Sequence, residues 1–149
     1  MVFSFHEEKS QFKSKLNAGE LVVGTWVNAV KDPVIARILA STGLDYVLID
    51  AEHSGQTMAT ITDTCTVARE CGLYPMVRPI EPNDLKLNGR IIDAGAMGLV
   101  VPHIDSAKQA QAIVNSIKFF NGGTRGYCAK TTTSCFQKMS EELMHHSEE

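Results

Sequence analysis

The feature that most constrains the fold is a regular alternation of short β-branched runs with longer segments of helical period. This alternation is typical of βα units arranged around a parallel sheet. Four such units can be counted, and their predicted strands are LVVGTWV (21–27), DYVLID (45–50), YPMVRP (74–79) and MGLVVP (97–102). The sequence therefore predicts an α/β fold with about four βα units.

Residues that favour helix ends separate the predicted strands from the predicted helices. Asp32 and Pro33 suit the start of the first helix, and a glycine suits the end of each of the first three helices, namely Gly43, Gly72 and Gly95. Later helices are predicted near 57–71, from about 83, and near 106–119, and a short charged helix at 7–17 precedes the first strand. The expected apolar contacts are Phe12 and Leu16 beneath the sheet, then Met58, Ile61, Cys65 and Ala68, then Leu85, Ile91 and Ile92, and finally Ala107, Ala110, Ile113, Val114 and Ile117.

The composition predicts a soluble cytoplasmic protein with a single domain over residues 1–149. A chain of 149 residues can bury one sizeable core and is too short for two ordinary domains. Its 14 basic and 17 acidic residues leave a net charge of -3, with no basic stripe that would suit nucleic acid. No apolar run reaches the roughly 18 residues that span a bilayer, and the first residues lack the apolar centre of a signal peptide. We therefore expect neither nucleic acid nor a membrane as a partner.

The four cysteines and the last residues of the chain carry weaker signals. No pair of cysteines has the spacing of two residues that is typical of zinc sites, and Cys65 and Cys71 fall in a predicted helix, which favours small core residues. The irregular spacing of Cys128, Cys135, His145 and His146 disfavours a metal site built from them. Residues 127–149 are predicted to form an irregular tail with a terminal helix.

Chemistry-bearing side chains lie at or just after the carboxyl end of each of the four predicted strands. In parallel α/β folds the loops at the carboxyl ends of the strands open toward one face, and functional groups gather there. We call this edge of the sheet the rim. Its predicted members are Trp26, Asp50, Glu52, His53, Arg78 and His103.

Asp50, His53 and Arg78 provide the groups that proton abstraction beside a carbonyl requires. Asp50 is close enough in sequence to accept a hydrogen bond from one imidazole nitrogen of His53, which would leave the other nitrogen as a general base. Arg78 offers a planar cation that can hold a carboxylate or an enolate oxygen. Structural alternatives are a loop-ordering hydrogen bond between Asp50 and His53, an Arg78 that serves only as a partner of Asp50 or Glu52, and a His103 that is only a loop residue.

Five segments together resemble the N-terminal half of the HpcH/HpaI aldolases. They are GELVVGTWV, DPVIARILASTGLDYVLIDAEH, PMVRP, IDAGAMGLVVPHIDSAKQA and GGTRG, and the resemblance runs from about residue 8 to residue 126. It implies a TIM (β/α)₈ barrel, of which this chain carries half, and it implies a homo-oligomer. It also implies a class II pyruvate aldolase, which cleaves 2-oxo-4-hydroxy acids to pyruvate and an aldehyde with a divalent metal ion such as Mg²⁺, Mn²⁺ or Co²⁺.

The resemblance assigns roles to matching positions of this chain. It makes His53 the catalytic acid/base, Asp50 its orienting partner, and Arg78 the residue that binds the carboxylate side of pyruvate. Trp26 and Glu52 match positions that line the same pocket, and Arg125 with Gly126 matches a loop expected at the rim. The family's metal ligands are expected beyond residue 149, so none is assigned in this chain.

Two other classes of function compete with a pyruvate aldolase. One is a non-catalytic half-barrel that assembles with another chain, and the absent metal ligands and open sheet edges favour it. The other is a flavodoxin-like small-molecule binder, which the number of βα units allows but the lack of a glycine-rich phosphate loop after the first strand disfavours.

Overall fold

A four-stranded parallel sheet forms the centre of the structure, a computed structural model that describes residues 12–81, 83–119, 122–128 and 131–132. The strands are β1 (Gly24–Val27), β2 (Tyr46–Asp50), β3 (Tyr74–Arg78) and β4 (Gly98–Leu99), and they lie side by side in chain order. Each neighbouring pair is parallel. The predicted α/β fold with four βα units is confirmed.

Four helices alternate with these strands. They are α1 (Val34–Ala40), α2 (Met58–Glu70), α3 (Leu85–Asp93) and α4 (Ala107–Ile117). Residues 12–17 are also helical, and the other residues of the predicted 7–17 helix lie outside the described part of the chain. Residues 122–128 and 131–132 contain neither helix nor strand, and the predicted terminal helix falls on residues that the structure does not describe.

Local hydrogen bonds explain where the helices begin. The Asp32 carboxylate accepts the Val34 N–H at 2.9 Å, which satisfies a donor at the start of α1 as the sequence predicts. Thr57 and Thr60 form a reciprocal capping box at α2, and Ser106 accepts the Gln109 N–H at α4. These caps fix the point at which each loop leaves the rim and the helix begins.

Alternate strand residues pack the sheet against the helices. Ile49 and Val77 pack with Ile61 and Cys65 of α2 in one cluster, and a second cluster joins Val27 and Val47 to α1 and α2. Cys65 is fully buried, as predicted, and burial raises the pKa of its thiol to about 12. Because side chains alternate between the two faces of a strand, Trp26, Asp50 and Arg78 share the opposite face.

Two predicted strands and three of the predicted helix contacts are wrong in detail. The first strand begins at Gly24 rather than at residue 21, because the Val23 N–H bonds to the Asp45 carboxylate instead of continuing the sheet. The fourth strand has two residues, since Val100 donates to Val77 and the chain then leaves the sheet. Leu85, Ala107 and Val114 are exposed, because Leu85 and Ala107 are the first residues of α3 and α4 and Val114 follows the inward-facing Ile113.

The amino ends of the strands form the opposite edge of the sheet, which we call the foot and define by Phe12, Lys15, Asp45, Tyr46 and Tyr74. The ring of Phe12 stacks on Tyr74 at 4.1 Å and meets Tyr46 edge-on. Tyr74 Oη donates to the Met97 carbonyl at 2.6 Å. The predicted packing beneath the sheet is therefore confirmed for Phe12, whereas Leu16 is half-exposed.

Candidate active site

An ion pair between neighbouring strands anchors the rim. Asp50 and Arg78 are partners in the register of β2 and β3, so their side chains leave the same face side by side. Arg78 Nε donates to Asp50 Oδ1 at 2.9 Å, and Arg78 Nη2 donates to Asp50 Oδ2 at 2.7 Å. The guanidinium holds the pKa of the buried Asp50 carboxyl below its ordinary value, and Asp50 in turn raises the pKa of Arg78. Both groups are therefore charged at neutral pH.

The loop after β2 wraps around the same aspartate. Asp50 Oδ1 accepts the backbone N–H groups of Glu52 at 3.1 Å and of His53 at 3.2 Å. Ser54 Oγ donates to the Asp50 carbonyl, and the Gln56 N–H donates to Ser54 Oγ. Asp50 thus fixes the backbone that presents the Glu52 and His53 side chains.

Glu52 is the central carboxylate of the rim. Its Oε2 lies 3.2 Å from Arg78 Nε and 3.5 Å from His53 Nε2, and its Oε1 lies 3.0 Å from His103 Nε2. Only 11% of the Glu52 side chain is exposed, whereas the two imidazoles are largely exposed. One nearly buried carboxylate therefore holds the carboxyl-end loops of β2, β3 and β4 together.

The position of His53 differs from the expected one. The sequence predicts a hydrogen bond between the His53 imidazole and the Asp50 carboxylate. In the structure Asp50 binds the backbone of His53, while the His53 imidazole lies beside Glu52. The physical reason is the register of β2 and β3, which places Arg78 directly against both oxygens of Asp50. Arg78 also has the structural partners that were the alternative interpretation, since it pairs with both Asp50 and Glu52.

Arg78 nonetheless keeps the capacity to bind an anion. A guanidinium has five N–H groups, and Asp50 takes two of them, so three have no acceptor among the described residues. The guanidinium carbon lies 4.5 Å from the centre of the Trp26 ring, which covers one face of the cation. Trp26 is half-exposed and one fifth of the Arg78 side chain is exposed, so a small anion can reach this edge from solvent.

Arg125 lies away from the rim, contrary to the expectation for its loop. Its guanidinium pairs with Asp93 at 2.5 Å, stacks on Phe119, and is almost fully buried. Asp93 is the last residue of α3, and a helix of a βα unit runs opposite to its strand, so this pair lies on the side of the foot. Gly126 is exposed in the same segment. The described contacts of the Arg125 guanidinium are therefore with α3 and Phe119 and not with Arg78.

A divalent metal ion does not fit the rim as the structure describes it. Both rim carboxylates are paired with Arg78. Among residues 12–81, 83–119, 122–128 and 131–132 no three histidine, cysteine, aspartate or glutamate side chains are grouped so as to hold a metal. Cys135, His145 and His146 lie outside the described residues. No helix in the described part of the chain is long and apolar enough to cross a membrane.

The sequence does not predict the contact between Glu52 and His103. The sequence predicts that Glu52 lines the pocket or pairs with Arg78, and that His103 is a rim residue or only a loop residue, yet the two are hydrogen-bond partners from different loops. The sequence does indicate one part of this contact. His103 comes just after the fourth predicted strand, and functional groups gather at the carboxyl ends of parallel strands. The distance along the chain, 51 residues, hid the contact.

Comparisons with known proteins match most of this chain. A family model described as HpcH/HpaI aldolase/citrate lyase matches residues 23–139. The chain is 30% identical to a hydroxypyruvate/pyruvate aldolase of Pseudomonas aeruginosa, over 94% of this chain and 52% of that protein. It is 33% identical to a pyruvate aldolase of Rhizobium etli, over 87% of this chain and 50% of that protein.

A solved structure gives the same result for the fold. The chain superposes on an HpcH/HpaI aldolase from Desulfitobacterium hafniense with a TM-score of 0.83 and 34% identity, over 92% of this chain and 53% of that one. The predicted relation to TIM-barrel aldolases is thereby confirmed. The chain spans about half the length of the relatives it matches.

Proposed function

Because the chain belongs to the HpcH/HpaI aldolase/citrate lyase family, we propose that it carries the acid/base and anion-binding half of a class II pyruvate aldolase. The substrate class is 2-oxo-4-hydroxy acids, which the complete enzyme cleaves to pyruvate and an aldehyde. The observation that carries the proposal is the shared Glu52 oxygen, which holds the Arg78 cation and the His53 imidazole beside one another at an open rim. We further propose a cytoplasmic, homo-oligomeric protein.

Arg78 is the anion-binding group in this proposal. Its remaining N–H groups bind the 2-oxo acid end of the substrate, where negative charge develops as the carbon–carbon bond breaks. Asp50 holds the guanidinium by two hydrogen bonds, and Trp26 covers one of its faces. The cation therefore binds the substrate without first having to be ordered.

His53 is the acid/base group. Its exposed imidazole accepts the proton of the 4-hydroxyl group, the bond between C3 and C4 breaks, and the aldehyde leaves. The bonding electrons pass into the enolate of pyruvate, which Arg78 stabilises, and a proton added at C3 gives pyruvate. Glu52 and the backbone contacts of Asp50 set the position of the imidazole.

The proposed enzyme also uses a divalent metal ion, of which Mg²⁺, Mn²⁺ and Co²⁺ are the candidates. When bound, such an ion would polarise the 2-oxo group. The described residues offer no ligand set for it, so we expect its ligands elsewhere in the complete protein, and no step above is assigned to it.

Pyruvate binding and cleavage test the proposal separately. In ¹⁵N NMR spectra of this chain, pyruvate should move the Arg78 Nε–H signal and the amide signals of Glu52 and His53. Combined with the remaining βα units of a relative and Mg²⁺ or Mn²⁺, the chain should release pyruvate from a 2-oxo-4-hydroxy acid.

His53→Gln is the matched control variant. It should lower the rate of pyruvate release by about 10²- to 10⁴-fold, the usual contribution of a general base, while pyruvate still moves the Arg78 signal. An unmoved Arg78 signal, together with no exchange of pyruvate methyl protons in D₂O by the completed barrel, would contradict the proposal.

A second candidate function is a non-catalytic half-barrel subunit that needs a partner chain. In the described sheet β1 and β4 are each paired on one side only. Exposed apolar side chains lie near both edge strands, with Leu21 and Val23 before β1 and Val100 and Ile104 after β4. Light scattering on the chain at micromolar concentration should then show a dimer or larger assembly. A well-folded monomer would count against this candidate.

A further inference from the structure

His103 has an unusual backbone conformation. Its φ is 56°, and among the described residues it is the one non-glycine residue with a positive φ. This left-handed region is unfavourable for a side chain with a Cβ, and such residues persist only where their surroundings hold them. Such residues also concentrate at functional sites.

Gln109, in the first turn of α4, holds the His103 segment. Its Nε2 donates to the His103 carbonyl at 3.3 Å and to Asn83 Oδ1 at 2.8 Å, and its Oε1 accepts the Asp105 N–H at 3.0 Å. One side chain therefore ties the loop after β4 to the loop after β3. Gln109 thus fixes the backbone of His103, while the His103 imidazole points to Glu52.

The contact with Glu52 explains what the conformation achieves. His103 Nε2 lies 3.0 Å from Glu52 Oε1, and the other oxygen, Oε2, faces both Arg78 and His53. A carboxylate held at one oxygen by Arg78 alone can turn about its last bond. A second contact at the other oxygen prevents this rotation.

We propose that His103 is a positioning residue that acts through Glu52, keeping one carboxylate oxygen away from Arg78 so that the guanidinium stays open to the 2-oxo acid. The inference rests on the function proposed above. Without the imidazole, both oxygens of Glu52 compete for Arg78 N–H groups. Because Glu52 then competes with the anionic substrate, His103 affects substrate binding more than the chemical step.

Two variants separate positioning from folding. His103→Gly removes the imidazole and also relieves the left-handed backbone, so its melting temperature should not fall. His103→Gln keeps an N–H donor at a similar distance and should restore the contact with Glu52. The pair thus distinguishes the lost hydrogen bond from any loss of stability.

Pyruvate affinity and the Arg78 Nε–H signal are the two measurements on the full chain. His103→Gly should weaken pyruvate binding about tenfold, the loss expected for one hydrogen bond to a charged group, and should shift the Arg78 signal in the absence of pyruvate. His103→Gln should stay within about threefold of the native affinity. In the completed enzyme His103→Gly should raise KM and leave kcat nearly unchanged.

The outcomes also separate this inference from the proposed function. Native pyruvate affinity in His103→Gly would overturn the inference, as would an Arg78 signal that does not move. If the native chain binds no pyruvate, the proposed function fails, and the Arg78 signal still decides the inference. A signal that shifts in His103→Gly and is restored in His103→Gln would then support the positioning of Glu52 by His103.

Discussion

Strand β2 has an aspartate at each end, and the two aspartates lie at opposite edges of the sheet. Asp45 precedes the strand at the foot and pairs with Lys15 at 2.5 Å, while Asp50 closes the strand at the rim and pairs with Arg78. In both cases the paired cation is the main cause of a lowered aspartate pKa. The two ion pairs are chemically alike. They differ in the N–H donors that each cation keeps for other acceptors.

At the foot every group around the aspartate joins one chain segment to another. Asp45 accepts the Val23 N–H through its carboxylate, donates its own N–H to Val23, and accepts the Tyr74 N–H through its carbonyl. Lys15 is a point charge on a flexible stem. The foot therefore fastens the helical residues 12–17 and the strand entries to the sheet.

At the rim the Arg78 cation has N–H donors that Asp50 does not bind. Asp50 fixes Arg78 and the loop after β2, but three guanidinium N–H groups have no acceptor in the described part of the chain, and two exposed imidazoles lie at the same Glu52 carboxylate. Under the proposed function, an aspartate–cation pair serves as a binding site when the cation is an arginine with unused donors at an open edge.

Substitution of the rim cation should have the largest effect. Arg78→Lys should weaken pyruvate binding about 100-fold, because an ammonium cannot hold Asp50 by two bonds and present further N–H groups to a carboxylate. Lys15→Arg at the foot should leave pyruvate binding unchanged. NMR titration with pyruvate measures both. Equal effects of the two substitutions would remove the distinction between rim and foot.

Acid should destabilise the chain through both aspartates, and more through Asp50. A carboxyl with a lowered pKa in the folded state contributes stability above its unfolded pKa, about 3.9, and this contribution is lost as pH falls through the folded pKa. Asp50 is 2% exposed, whereas 17% of the Asp45 side chain is exposed. Urea unfolding below about pH 4 should depend less on pH in Asp50→Asn than in Asp45→Asn. The reverse order would contradict the assignment of the stronger pair to the rim.

The sequence predicted the fold and the rim because both follow from periodicity. The spacing of apolar residues along the chain distinguishes strands from helices, and parallel strands have their carboxyl ends at one edge of the sheet. The sequence did not predict that Arg78, rather than the His53 imidazole, takes the Asp50 carboxylate, because that depends on the register between two strands. Similarly, no local sequence pattern indicates the contact between Arg125 and Asp93, because this contact depends on the path of the chain after α4.

Removal of one hydroxyl at the foot should have a smaller effect. Burial raises the pKa of Tyr74 to about 12, so its hydroxyl stays protonated and donates to the Met97 carbonyl. Tyr74→Phe should lower the free energy of unfolding by about 1 kcal/mol, the usual value of one such bond. Pyruvate affinity should not change. Urea unfolding and NMR titration check the two parts, and weaker pyruvate binding would show that foot and rim are coupled.

The smallest effect is expected at Trp26, where it should appear in binding rather than in stability. The Trp26 ring is half-exposed and covers one face of the Arg78 guanidinium, so its loss removes little burial but lets the cation leave the plane in which Asp50 holds it. Trp26→Leu should weaken pyruvate binding about threefold, as loss of an exposed cation–π contact implies, with a nearly unchanged melting temperature. Phe12→Leu is the matched control, because the Phe12 ring stacks on Tyr74 at the foot. It should lower the melting temperature and leave pyruvate affinity unchanged, and the same response from both variants would mean that the aromatic rings at rim and foot have a common, purely structural role.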